Sequence, residues 1–215
     1  MKKLTLLAAV LIFSCSSANE DTGFVRIHEK IKTNDYVYQF RKQDHATLLN
    51  SMTVMGYQNL SGYSINELRR IIIAYEYDAL FWDMHEATGF PVSIFFSFFI
   101  FEATRDGIET EMWRHHWNPG GIKYRNKYNK VLKPDDCKGK CEFSSMPNYA
   151  AAIEMWALVF NNARYTDCKS KKTTADICKC IKDAGYHTDN SHNIRARLTT
   201  DYWKYRRSFP TFTKK

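Results

Sequence analysis

The sequence predicts an α+β domain that is mostly helical and carries one small β-hairpin lobe. Three observations lead there. Apolar residues recur at helical spacing from Ile65 to Trp82. Phe90 to Phe101 holds no charge and six of its twelve residues are Phe, so a helix there is apolar on every side and belongs at the centre of the fold. From Trp117 to Phe143 the composition changes to Gly, Pro, Asn and Lys with short β-like pieces, the mark of a small lobe. At 215 residues the chain suffices for one domain with a real core and a small extra segment.

The elements follow in chain order. Met1, Lys2 and Lys3 precede an uncharged run from Leu4 to Phe13 and then small residues, which predicts a secretory leader over residues 1–18, too short for a membrane span of ~20 residues. Ile12-Phe13-Ser14-Cys15 is similar to a lipobox, with Cys15 as a lipid-anchored mature terminus; ordinary cleavage after Ala18 is the alternative. Residues 19–60 are polar and aromatic, with one short helix in "HATLLNSM", and read as an extension packed on a main domain over residues 61–207, with a tail at 208–215. Ser64-Ile65-Asn66-Glu67 is a capping box that opens a long helix with Ile65, Leu68, Ile72, Tyr75, Ala79 and Trp82 on one stripe, ended near Gly89. Pro91 starts the apolar helix, which runs to about Thr104 and is broken by Gly107. Ile122–Tyr124 and Lys130–Leu132 are the strand candidates of the lobe. Helices return from Asn148 to about Phe160, from Thr174 to Ala184 before Gly185, and from Asn190 to about Tyr205.

Charge and cysteines narrow the function classes. Lys and Arg number 31 against 23 Asp and Glu, a net charge of +8 that falls to +6 when Lys2 and Lys3 leave with the leader. A basic exported protein suits an anionic wall polymer, though a solvated basic surface explains the number equally well. No RNA-binding signature or continuous basic tract points to nucleic acid. Besides Cys15 the chain holds Cys137, Cys141, Cys168, Cys178 and Cys180, which in an oxidising compartment favour disulfides over a zinc site and leave one thiol over; the pairing is not legible. The chain is expected to act as a monomer without metal or cofactor.

Glu102 ends the apolar run. A helix end that simply reaches the surface accounts for it. A general acid accounts for it too, because partial burial and the negative helix end both favour the protonated carboxyl, as glycoside cleavage requires. His115 and His116 are adjacent and read as surface residues.

Four blocks resemble the glucosaminidase domain of bacterial autolysins, glycoside hydrolase family 73, in family order. They are "GFPVSIFFSFFIFEATRDG"; Asn118-Pro119-Gly120-Gly121-Ile122-Lys123; Asn161-Asn162-Ala163-Arg164-Tyr165; and Ala184-Gly185-Tyr186-His187-Thr188-Asp189. The resemblance implies a lysozyme-like fold with a cleft between helices and lobe, and hydrolysis of β-1,4 bonds in peptidoglycan glycan strands by an endo-β-N-acetylglucosaminidase. It puts Glu102 at the catalytic acid, Tyr165 at a catalytic tyrosine of the cleft that binds sugar or steadies the transition state, with plain packing as the alternative, and Asn118, Gly121 and Lys123 at substrate-binding positions. The second carboxylate is sought in the lobe, which offers Asp136 first, then Asp135, and Glu142, while Asp106 and Glu109 lie nearer in sequence; the alternatives are that Asp135 and Asp136 only solvate a turn and that the substrate's own acetamido group replaces a protein carboxylate. Two departures stand out: a family Trp after the acid is missing, for which Trp117 or Trp113 could substitute, and Gly120 replaces a Phe, which would widen the cleft. Tyr186 and Asp189 read as structural, with Asp189 or Asn190 capping the last helix. A muramidase or lytic transglycosylase, and a non-catalytic peptidoglycan-binding envelope protein, are the alternative functions.

Overall fold

The computed structural model describes residues 39–132, 142–186 and 201–210. The expected leader, Cys15, Asp135, Asp136, Cys137, Cys141, Asp189 and Asn190 lie outside them. The described chain is mostly helical with two small antiparallel hairpins.

Helix α1, His45–Val54, is capped by Asp44, whose side chain accepts from the Thr47 amide, and it buries Leu48 and Met52. With Phe40, Tyr57 and Leu60 also buried, residues 40–60 contribute directly to the main core. The expected capping box of Ser64 and Glu67 opens α2, Ile65–Glu76. The long helix then breaks at Tyr77, at φ −107° and ψ 16°, before α3, Asp78–Thr88, ends on left-handed Gly89. The stripe of apolar residues runs straight across the break because only one residue leaves the helix. Tertiary contacts hold it there: the Tyr77 hydroxyl donates to Glu109 at 2.8 Å, and its ring lies 4.8 Å from Phe99.

Helix α4, Val92–Glu102, follows Pro91, and Val92 through Ile100 are all buried. It touches α2, α3 and, further along the chain, Thr104–Arg105, Thr174–Asp183 and Tyr202–Arg206, so it is the central helix the sequence predicted. Rings at 5–6 Å seal it edge to face, Phe96 on Phe81 and Phe95 on Phe160, and each Phe taken fully out of water contributes about 1.5–3 kcal/mol.

The chain turns immediately into a hairpin that the sequence reading did not contain. Strands β1, Thr104–Arg105, and β2, Ile108–Glu109, pair antiparallel across Asp106 and Gly107, whose φ values of 54° and 74° are the positive pair that a type I′ turn demands. Helix α5, Glu111–His116, follows. Strand β3, Asn129–Leu132, pairs with β4, Glu142–Ser145. This corrects the expected lobe: Ile122–Tyr124 is no partner of residues 130–132, because Lys123 bridges to Phe143 and Val131 pairs with the same Phe143, which sets β4 between them.

Helix α6, Tyr149–Phe160, is capped by Asn148; a 3-10 helix spans Ala163–Ser170; α7 spans Thr174–Asp183; and α8 spans Tyr202–Arg206, the end of the last expected helix. Cys168 and Cys180 form a disulfide that ties the 3-10 helix to α7. Among the described residues Cys178 is free, and burial pushes its thiol up to about 12, which leaves it chemically inert.

The aromatic core carries a pH signature. Burial raises the Tyr77 phenol to about 12 and also lifts Tyr149 and Tyr186. The folded state thus holds these protons more tightly than the unfolded chain, where the value is ~10. Below that pH both states are protonated and stability is unchanged; above it the unfolded chain ionises first, so stability falls until the folded value is reached, by ~1.4 kcal/mol per unit of difference. The melting temperature is therefore expected to drop steeply from about pH 10 upward, with part of the phenolate absorbance appearing only as the chain unfolds. Complete ionisation of all tyrosines at ordinary pH in a chain that stays folded would refute this.

Candidate active site

The site begins at the last turn of α4. Glu102 is half-buried there, and the Ala103 amide closes the helix on the Phe99 carbonyl at 2.8 Å. The loop after α5 is folded back onto it. Trp117 takes a left-handed conformation at φ 44°, and the Asn118 amide donates to the Met112 carbonyl at 3.0 Å. Asn118 itself is fully buried: its Nδ2 donates to the carbonyls of Ile122 and Ser144, both at 2.9 Å, and its Oδ1 accepts from the Ile122 amide at 2.7 Å. Both amide protons are spent on backbone, so Asn118 braces the loop against β4 where the sequence reading had it hold substrate.

That brace sets two glycines. Gly121 sits at φ 56°, and a Cβ on it would lie 3.2 Å from Glu102 Oε2, so bare backbone lies against the carboxylate. Gly120 is buried, and a Cβ on it would come 2.8 Å from Trp156 Nε1 and 3.1 Å from the Tyr186 hydroxyl. The missing Phe side chain therefore leaves no wider opening; the indole and the phenol fill the place.

Tyr186 is the residue the sequence reading undervalued. Its ring packs on Phe98 at 4.9 Å and Phe160 at 5.5 Å. Burial first, and then the Glu102 charge, hold its phenol well above the usual range. Tyr165 stands 6.4 Å from Tyr186, ring to ring, under the Arg164 guanidinium at 4.6 Å, and burial raises its phenol as well. Tyr165 is fully buried, with no surface for a sugar to touch in this structure; its ring sits among Tyr186, Phe160 and Arg164. Arg164 Nη1 in turn donates to the Gly185 carbonyl at 3.4 Å.

The remaining candidates scatter. Trp113 is fully buried between Tyr77 and Phe99 and is no sugar platform; Trp117, edge-on to Trp113 at 5.3 Å, keeps part of its surface. Lys123 is exposed with Nζ 4.0 Å from the Phe143 ring centre. Glu142 is half-exposed and pairs with Lys130 at 3.0 Å, Asp106 is exposed in the β1–β2 turn, and Glu109 is buried with Arg41, so of these three only Glu109 is shut off from substrate. His115 is exposed, and His116, half-buried, shares a 3.0 Å hydrogen bond between Nδ1 and the Ser145 hydroxyl. Among the described residues no cluster of His, Cys, Asp and Glu could hold a metal ion.

No family model and no curated protein matches the chain. Among solved structures, a mutant of a peptidoglycan hydrolase from Sphingomonas sp. A1 is similar in backbone course, with a TM-score of 0.47 and 16% identity, over 65% of this chain and 97% of that one.

Proposed function

We propose that the chain is an exported peptidoglycan hydrolase of the endo-β-N-acetylglucosaminidase type, with Glu102 as its general acid. One observation carries the reading: the four blocks that resemble the glucosaminidase domain meet in space. Gly121 from the second block lies against Glu102 from the first. Gly120 lies against Tyr186 from the fourth, and Tyr165 and Arg164 from the third reach Tyr186 and Gly185. Packing alone does not require four separated motifs to join in one chain of contacts that ends on a carboxylate.

In this mechanism Glu102 protonates the leaving glycosidic oxygen, and Asp136 or Asp135, or the substrate's acetamido group, stabilises the oxocarbenium-like state from the other side. Trp117 and Lys123 flank the site as sugar contacts. Export by the leader, with or without a lipid anchor on Cys15, brings the enzyme to the wall, and a disulfide between Cys168 and Cys180 suits an oxidising compartment.

Incubation of the chain from Asn19 with purified peptidoglycan tests this. After borohydride reduction, mass spectrometry is expected to find fragments ending in reduced N-acetylglucosamine. Anhydromuramic ends would move the assignment to a lytic transglycosylase, and binding without release would move it to an envelope protein that holds glycan without cutting it.

A further inference from the structure

Arg41 is 2% exposed and lies ahead of the stretch that carries the family resemblance, and the proposed reaction makes no use of it. Its Nε and Nη2 both donate to the carboxylate of Glu109 on β2, Nε at 3.1 Å, while Nη1 pairs with Glu76 at the end of α2. Stability is a weak reason for such a cluster, since a buried ion network is often matched or bettered by apolar residues of the same volume. A two-point guanidinium fork does fix the orientation of what it holds.

What it holds adjoins Glu102. Glu109 is the register partner of Thr104, two residues past Glu102, and the Thr110 amide donates to the Ala103 carbonyl at 2.8 Å. The Thr104 hydroxyl reaches back to the Ile100 carbonyl at 2.6 Å. Tyr77, donating to Glu109, presses its ring on Phe99, one turn before Glu102. The other end of the hairpin is pinned by Arg69, whose Nε donates to the Arg41 carbonyl at 2.8 Å and whose Cβ would lie 2.5 Å from a Cβ on Gly107.

We infer that Arg41 is a positioning residue for Glu102: by clamping Glu109 it fixes the β1–β2 hairpin, and through the hairpin the last turn of α4. The inference rests on the proposed role of Glu102 for its catalytic meaning. It makes the segment before residue 61 part of the working site.

The test uses the full mature chain carrying Arg41→Lys, which keeps the charge without the fork, and the triple variant Arg41→Met, Glu76→Gln, Glu109→Gln, which removes the ions without leaving one unpaired. Amide hydrogen exchange is read at Ala103 and Thr110, with the interior amides of α6 as reference, and kcat and KM are measured on soluble glycan fragments. The expected result is faster exchange at Ala103 and Thr110 with α6 unchanged, and a kcat lowered by about 10- to 100-fold at nearly constant KM. Exchange that rises equally everywhere, or stays at the wild-type rate at both reporters, overturns the positioning role. If the wild type cuts no glycan, the hydrolase reading fails by itself, and exchange at the two reporters still decides whether Arg41 fixes the Glu102 turn.

Discussion

Glu102→Gln is expected to reduce glycan cleavage by about 10²- to 10⁴-fold, the contribution of a positioned general acid, while the chain still pellets with peptidoglycan. Glutamine fills the same volume at the end of α4, so Gly121 keeps its place against the side chain and only the transferable proton is lost. The ratio of cleavage to binding is therefore the informative quantity, measured beside a thermal melt that should move little. A variant that retains wild-type turnover would remove Glu102 from the mechanism and with it the reason for the convergence around Gly121. A variant that loses both binding and its melting transition would point to a structural carboxylate.

The parts of the fold legible in the sequence were those written in local chemistry. Ser64 with Glu67, Asn148, and Gly89 mark helix ends because each satisfies orphan backbone groups next to itself in the chain. The apolar helix was legible because Pro91 marks a first turn and an uncharged run from Phe90 to Phe101 is longer than a buried strand. What was missed depends on distant partners or on very short elements. Asp106-Gly107 is a strong turn signal, but strands of two residues show no alternation, so Gly107 read only as a helix stop. The break at Tyr77 depends on Glu109 and Phe99, which periodicity does not see. Glu142–Ser145 is too polar to announce a strand, and it forms because β3 and Lys123 flank it.

The site shows the same division. Motif resemblance located the neighbourhood of Glu102 and named its loops, yet it did not say which atoms face solvent. Asn118 and Tyr165 were placed at the substrate because of the motifs they sit in, and both are buried, one bracing backbone and the other backing a phenol. Tyr186 lay in a motif too and was read as a turn, though the block that contains it was the available clue. Arg41 had no clue at all: among 31 basic residues nothing local separates a buried guanidinium from a solvated one.

Gly120→Phe, which would restore the residue the related motif carries, is expected to destabilise the domain by about 1–3 kcal/mol or more and to lower cleavage with it. The widened cleft anticipated from the sequence would instead make this substitution harmless. The structure favours damage because the first added atom already meets Trp156 Nε1 at 2.8 Å and the Tyr186 hydroxyl at 3.1 Å. Neither neighbour is the free end of a flexible chain. Trp156 is locked edge-on against Phe95 at 5.4 Å, and Tyr186 against Phe98 at 4.9 Å, both on the helix that ends in Glu102. The strain therefore passes into α4, so activity should fall further than the loss of folded chain explains. The cause is steric and not conformational, since Gly121, not Gly120, has the positive φ. A double-mutant cycle separates the two: adding Trp156→Ala should recover part of the stability lost to Gly120→Phe, whereas Trp156→Ala alone costs stability by opening a cavity. Additive losses would mean that Gly120 and Trp156 do not compete for the same space, and that Gly120 leaves the site open after all.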